Sequence, residues 1–111
     1  MSKSQRTKGA SFERDIANDL TDDFGIKIRR NIGQARDGGD DITVPPFRLE
    51  LKRRKGIAVY DWMKQCIAAC SEPFHIPVVI LKADGKEPLA LMRYADWKKL
   101  AREELAKEMM K

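Results

Sequence analysis

The sequence predicts an α/β fold: a three-layer α/β/α sandwich around a mixed central sheet. Three observations carry this. Apolar residues recur at helical spacing in three separated stretches, and short alternating or continuous apolar runs lie between them. Glycine or proline punctuates the junctions. Read in order, the elements are α-β-β-β-α-β-β-α, which closes into helices packed on a sheet.

Residues 1–9 are polar and basic and read as a flexible arm, leaving 10–111 as one domain. Ser11 offers an N-cap, and Phe12, Ile16, Ala17, Leu20 and Phe24 then mark one face of a first helix that stops at Gly25. Ile26, Ile28 and Ile32 alternate with Lys27 and Arg29, the pattern of a strand with one wet face. Residues 33–39, GQARDGG, form a loop. Asp41–Val44 and Phe47–Arg53 are two further strands, joined by Pro45-Pro46 into a hairpin. A second helix spans 59–70, with Val59, Met63, Cys66, Ile67 and Cys70 on its apolar side and Asp61 near its start. The run Val78–Leu81 reads as a strand buried on both faces. Asp84-Gly85 is a turn signal, Pro88–Met92 a short strand, and 94–109 a last helix with Trp97, Leu100, Ala101, Leu105 and Met109 on one side.

Composition narrows the function classes. A chain of 111 residues, 42% hydrophobic, has room for a single modest core. Its net charge of +5 favours an anionic partner, nucleic acid before a membrane surface. No apolar run reaches the roughly 18 residues of a membrane span, and the N-terminus lacks the apolar stretch of a signal peptide, so the expected location is the cytoplasm. Cys66 and Cys70 lie four apart on one helix face, where a disulfide would be strained. A zinc site needs four ligands and the chain has one histidine, so both cysteines read as small core residues.

The stretch GGDDITVPPFRLELKRRK, Gly38–Lys55, holds the candidate chemistry. Strand side chains alternate, so Glu50 and Lys52 share one face while Leu49 and Leu51 take the other. Across the hairpin, Asp41 can bring its carboxylate beside Glu50. Two converging carboxylates repel unless a cation lies between them, and Mg²⁺ or Mn²⁺ suits two oxygen ligands plus water and phosphate. A lysine beside such a metal can hold a phosphate and orient the attacking water. Glu13, in SFERDIANDL, suits the start of a helix by its charge alone. If that helix packs on the sheet, Glu13 also reaches the metal as a third carboxylate.

The order Glu13, Asp41, Glu50-Leu51-Lys52 resembles the PD-(D/E)XK nuclease superfamily, whose signature is an aspartate before a hydrophobic residue, about ten residues, then Glu-x-Lys. The resemblance covers roughly residues 9–82. The helix glutamate is typical of the Holliday-junction-resolvase branch, and RNIGQARDGGDDITV, LELKRR and WMKQC are similar to small phage or prophage nucleases. The resemblance implies a restriction-endonuclease-like fold and a metal-dependent endonuclease acting on DNA. Asp41, preceding Ile42, matches the metal aspartate, Glu50 the second ligand and Lys52 the catalytic lysine. Glu13 matches the helix-1 glutamate, a ligand through water, and Gln65 matches a polar residue of the helix after the core strands. One departure is plain. Asp40 stands where the family has a proline, which makes it a rival to Asp41 as ligand, with Asp41 favoured.

With that reading, Arg29, Arg30, Gln34, Arg36, Arg53, Arg54 and Lys55 become candidates for DNA-phosphate contacts, joined by Lys3, Arg6 and Lys8 of the arm. Such contacts bind without reading sequence and fit an enzyme selecting branched DNA such as a four-way junction. Symmetric cutting of two strands implies a two-fold homodimer. The rival class is a nucleic-acid-binding module without catalysis, in which Glu50 and Lys52 are a surface ion pair of little energetic value. Nicking or end processing by the same chemistry is a third reading.

Overall fold

The computed structural model describes residues 3–32 and 41–111. Seven elements follow in chain order: α1 (Lys3–Phe24), β1 (Ile42–Val44), β2 (Phe47–Leu49), α2 (Val59–Ala69), β3 (Val78–Leu81), β4 (Leu89–Met92) and α3 (Tyr94–Met109). The chain is mixed helix and sheet, as an α/β class requires. It divides into two compact units, Met1–Arg54 with Ala101–Lys111, and Lys55–Leu100.

In the first unit α1 starts at Lys3, eight residues ahead of the expected cap at Ser11, so residues 3–9 are helical. Nothing in residues 3–10 forbids a helix, since they hold neither proline nor a β-branched run, and the arm's basic residues are good helix formers. The helix ends where the sequence says. Gly25 adopts φ +73°, the left-handed conformation glycine tolerates, and its N–H donates to the Thr21 carbonyl at 3.0 Å. Ala17 and Leu20 are buried on the helix, together with Ile28, Ile42, Val44, Ala101 and Leu105 of the same unit.

β1 and β2 form the expected antiparallel hairpin, in register Ile42↔Leu49, Thr43↔Arg48 and Val44↔Phe47. Pro45 and Pro46 are its two-residue turn, with a cis peptide between them. Ile42 and Val44 face the core and Thr43 faces water, the alternation a half-buried strand demands.

Two strand expectations need correction. Residues 26–32 do not form a strand and contribute one bridge, Arg30 to Ile42. The Thr21 hydroxyl accepts the Ile28 N–H at 2.9 Å, so that amide is satisfied by a side chain of α1 instead of by a ladder. β2 also stops at Leu49 and does not run to Arg53. There the Asp41 carboxylate takes the Leu51 N–H at 2.7 Å, ending the main-chain pairing.

α2, β3, β4 and α3 begin and end within one residue of the sequence expectation; the second unit holds the first three and α3 as far as Leu100. β3 and β4 pair antiparallel from Val78↔Met92 to Leu81↔Leu89. The described strands thus form two separate two-stranded antiparallel sheets, where one mixed sheet was expected. β3 is not buried on both faces: Val78 is 40% and Ile80 66% exposed, while Val79 and Leu81 are half-buried. A β-branched run is equally compatible with one wet face, and periodicity alone cannot separate the two. The turn at Asp84-Gly85 forms as read, with Gly85 at φ +75° and the Lys86 N–H donating to the Ala83 carbonyl at 3.1 Å.

Candidate active site

Asp41 is the most constrained of the predicted site residues. Its N–H donates to the Leu49 carbonyl at 2.9 Å, and its own carbonyl accepts the Asn31 N–H at 2.8 Å. Its carboxylate accepts the Leu51 N–H at 2.7 Å, the short distance of a charge-assisted bond. Main-chain and side-chain bonds to Leu49 and Leu51 bracket Glu50. Ile42 pairs with Leu49 and the Asp41 N–H also goes to the Leu49 carbonyl, so two residues meet one and the ladder register ends there, short of an Asp41–Glu50 pair. Glu50 and Lys52 lie just past the end of β2.

Lys52 Nζ lies 3.1 Å from Glu50 Oε1, with the two side chains 61% and 57% exposed. In water such a pair contributes little to stability. It does keep the acid and the base together on the solvent side of the hairpin end.

Glu13 sits on α1 and is engaged by Arg30. Its Oε2 accepts Arg30 Nε at 3.1 Å and lies 3.0 Å from Nη2, in a partly buried pair. Among the described residues, no three histidine, cysteine or acidic side chains converge as a metal-ligand group. By donor chemistry alone, the carboxylate oxygens of Asp41 and Glu50 are of the kind a hard cation takes. Mg²⁺ is ordinarily held by one or two carboxylates, with waters and substrate phosphates completing its shell.

Gln65 is exposed on α2, in the other unit. Arg29, Arg53, Arg54 and Lys55 are exposed, and Arg54 Nη1 donates to the Arg53 carbonyl at 3.1 Å. Gln34, Arg36, Asp40 and the loop 33–39 lie outside the described residues, as do the side chains of Lys3, Arg6 and Lys8.

Sequence reasoning missed three groups here. Asn31 bonds Thr43 Oγ1 through Nδ2 at 2.9 Å while its main chain holds Asp41. Thr21 ties Ile28 to α1. Arg14, Asn18 and Lys27 join Arg29, Arg30 and Ile32 around a cleft of about 260 Å³ in the first unit. A signal for the last group was present, because Arg14 and Asn18 are four apart on one helix face and Lys27 and Arg29 share strand parity. A larger cleft, of about 390 Å³, is lined by residues between Ile67 and Arg93 and contains no predicted site residue.

An aspartate held against a following Glu-x-Lys at a hairpin end, in a helix-and-sheet chain, is the arrangement of the PD-(D/E)XK class. The family model described as "Phage putative PDDEXK endonuclease" matches residues 4–111, and the chain belongs to that family. No curated protein and no solved structure matches the chain. The family places the chain among endonucleases of the PD-(D/E)XK superfamily, and its description says nothing of a resolvase-like branch. Among the described residues no helix is long and apolar enough to cross a membrane.

Proposed function

We propose that this chain is a metal-dependent endonuclease hydrolysing DNA phosphodiester bonds, with Mg²⁺ or Mn²⁺ bound by Asp41 and Glu50. The observation that carries the reading is the Asp41 carboxylate fixed at 2.7 Å on the Leu51 N–H, beside Glu50 and Lys52. That bond orients one carboxylate before any metal arrives, so binding costs little rearrangement of the chain. A bound divalent ion would lower the pKa of a coordinated water and offset charge on the transferring phosphate. Lys52 would then hold a non-bridging phosphate oxygen and orient the water, after exchanging its partner Glu50 for the substrate. Such an exchange is cheap for an exposed ion pair. Glu13 and Gln65 are proposed to assist, Glu13 as a ligand through water. The three-layer sandwich and a single domain over 10–111 belong to the same proposal.

The proposed substrate is branched DNA such as a four-way junction, cut by a two-fold homodimer. This part rests on the likeness of Glu13 and its helix to the resolvase branch. The test is cleavage of a labelled synthetic four-way junction and its matched linear duplex with Mg²⁺, Mn²⁺, Ca²⁺ or EDTA, with Glu50→Ala alongside. The expected result is junction cutting in Mg²⁺ or Mn²⁺, absent in EDTA and reduced at least ~100-fold by Glu50→Ala, a size typical of losing a principal electrostatic group. Equal cutting of both substrates would retain the chemistry and remove the junction preference. Binding without cutting under every ion would favour the module reading, in which the exposed Glu50–Lys52 pair is only a surface ion pair.

A further inference from the structure

We infer that the cleft between α1 and residues 27–32 is a backbone-phosphate site for DNA, and that Arg14 and Lys27 are its principal new contacts. The choice of DNA as ligand rests on the nuclease reading; the anion site itself rests on the cleft. Its lining comprises Arg14, Asn18, Lys27, Arg29 and Arg30, over Ala17 and Ile28, with Ile32 at the lip. No acidic residue lines it. Ala17 and Ile28 are buried and give the cleft an apolar floor, while Arg14, Asn18, Lys27 and Arg29 are exposed along its sides.

The charges in this cleft are unevenly used. Arg30 is neutralised by Glu13. Among the described residues, Arg14, Lys27 and Arg29 have no ion-pair partner, unlike Lys52, Arg93, Lys107 and Lys111. Four cations less one neutralised leaves three uncompensated positive charges around one concave surface. Low-dielectric walls beside such a cluster focus its field outward, which attracts a polyanion more strongly than scattered surface lysines do. Asn18 adds an uncharged donor suited to a phosphate oxygen.

The cleft is also held in shape. The Thr21 hydroxyl accepts the Ile28 N–H at 2.9 Å and donates to the Ala17 carbonyl at 2.8 Å, which ties one wall to the other across the floor. Glu13 then fixes the Arg30 guanidinium through Nε and Nη2, both on one carboxylate oxygen. In this respect Glu13 is a positioning residue for Arg30. Arg30 bridges Ile42, the residue after Asp41. One residue of the cleft lining is thus a main-chain bridge away from the neighbour of the proposed metal ligand.

The test is a salt titration of binding, read by fluorescence anisotropy with a short labelled DNA duplex in EDTA. Wild type, Arg14→Ala/Lys27→Ala and a charge-matched control, Lys82→Ala/Lys86→Ala, are compared, with circular dichroism to verify folding. Each phosphate contact contributes about 0.9 to the slope of log K against log salt. The cleft variant should therefore show a slope shallower by about 2 and, near 0.1 M salt, at least ~10-fold weaker binding. The control should match wild type. A cleft variant with the control's slope, or a wild type that binds anionic vesicles but no DNA, overturns the inference. Cleavage by wild type is scored in parallel with Mg²⁺. Cutting with an unchanged slope would sink the cleft and keep the nuclease, whereas a shallower slope without cutting would sink the nuclease and keep the cleft.

Discussion

Asp41 is asked to do two things, and substitution can separate them. Its carboxylate accepts the Leu51 N–H at 2.7 Å, and it is proposed to hold a metal. Asp41→Ala removes both and leaves a half-buried amide without its acceptor. A hydrogen bond to a charged group contributes about 1.5–3 kcal/mol, so a loss of about 2 kcal/mol is expected. At about 4 °C per kcal/mol for a chain of this size, the Tm should fall by about 8 °C. Asp41→Asn keeps an oxygen acceptor in the same place and loses only the charge. Neutral bonds contribute about 0.5–1.5 kcal/mol, so the expected cost is about 1 kcal/mol and about 4 °C. The metal cannot be satisfied so easily, because an amide oxygen carries no net charge. Cleavage by Asp41→Asn should drop at least ~100-fold while most of the stability remains. Differential scanning fluorimetry, calorimetric Mn²⁺ titration and the junction assay on both variants make the comparison. An Asn variant that binds Mn²⁺ and cuts like wild type would refute the ligand role and leave Asp41 as a device for ending the hairpin. An Ala variant as stable as wild type would refute the structural role.

Two further outcomes follow from the same kind of bond. Thr21→Val preserves volume but leaves the Ile28 N–H and the Ala17 carbonyl without the hydroxyl they share. It should cost about 1–3 kcal/mol and speed hydrogen exchange at Ile28, read by NMR, and unchanged exchange there would show that the hydroxyl does not hold the wall. Asp96→Ala removes a buried carboxylate from the first turn of α3, where it accepts Arg93 Nε at 2.8 Å. Because the Arg93 side chain is 44% exposed and can rehydrate, the expected loss is at the low end, about 1–2 kcal/mol by urea denaturation, with Asp96→Asn losing less.

What the sequence made legible has a physical pattern. α2, β4 and α3 were readable because their apolar spacing, first-turn acids and turn glycine agree with one another, and independent local signals that agree are hard to satisfy by accident. The Val44–Phe47 turn was readable for the same reason, since two prolines cannot extend a central strand. The Glu50–Lys52 pair forms even though β2 is shorter than expected. Residues two apart need only locally extended backbone, not a complete ladder, to bring Glu50 and Lys52 to one side. The two strand expectations that failed, at 26–32 and beyond Leu49, share one cause. Asp41 to Leu51 and Thr21 to Ile28 are side-chain acceptors taking amides that periodicity assigns to neighbouring strands. A hydrophobic pattern records which faces are buried; it carries no information on which group accepts a given N–H. The burial of β3 failed for a different reason, because Val78–Leu81 fits either a central strand or one with an exposed face.

The segment from Ile28 to Asn31 joins the two sites argued for here. Ile28 is tied to α1 by Thr21, Arg30 to α1 by Glu13, Arg30 to β1 by its bridge with Ile42, and Asn31 to Asp41 and to Thr43 of β1. Four consecutive residues therefore connect the helix beside the basic cleft to Asp41, the proposed metal ligand, and to the strand that follows it. Had this segment formed a regular strand, its amides would have been committed to a ladder and its side chains to two alternating faces. Held instead by side-chain bonds at Ile28 and Arg30, it keeps one bridge to β1 and turns Lys27, Arg29 and Arg30 toward the cleft. The departure from regular pairing is thus the feature that gives one short stretch both tasks. It also ties Glu13, in the middle of α1, to that segment, because its carboxylate holds the Arg30 guanidinium.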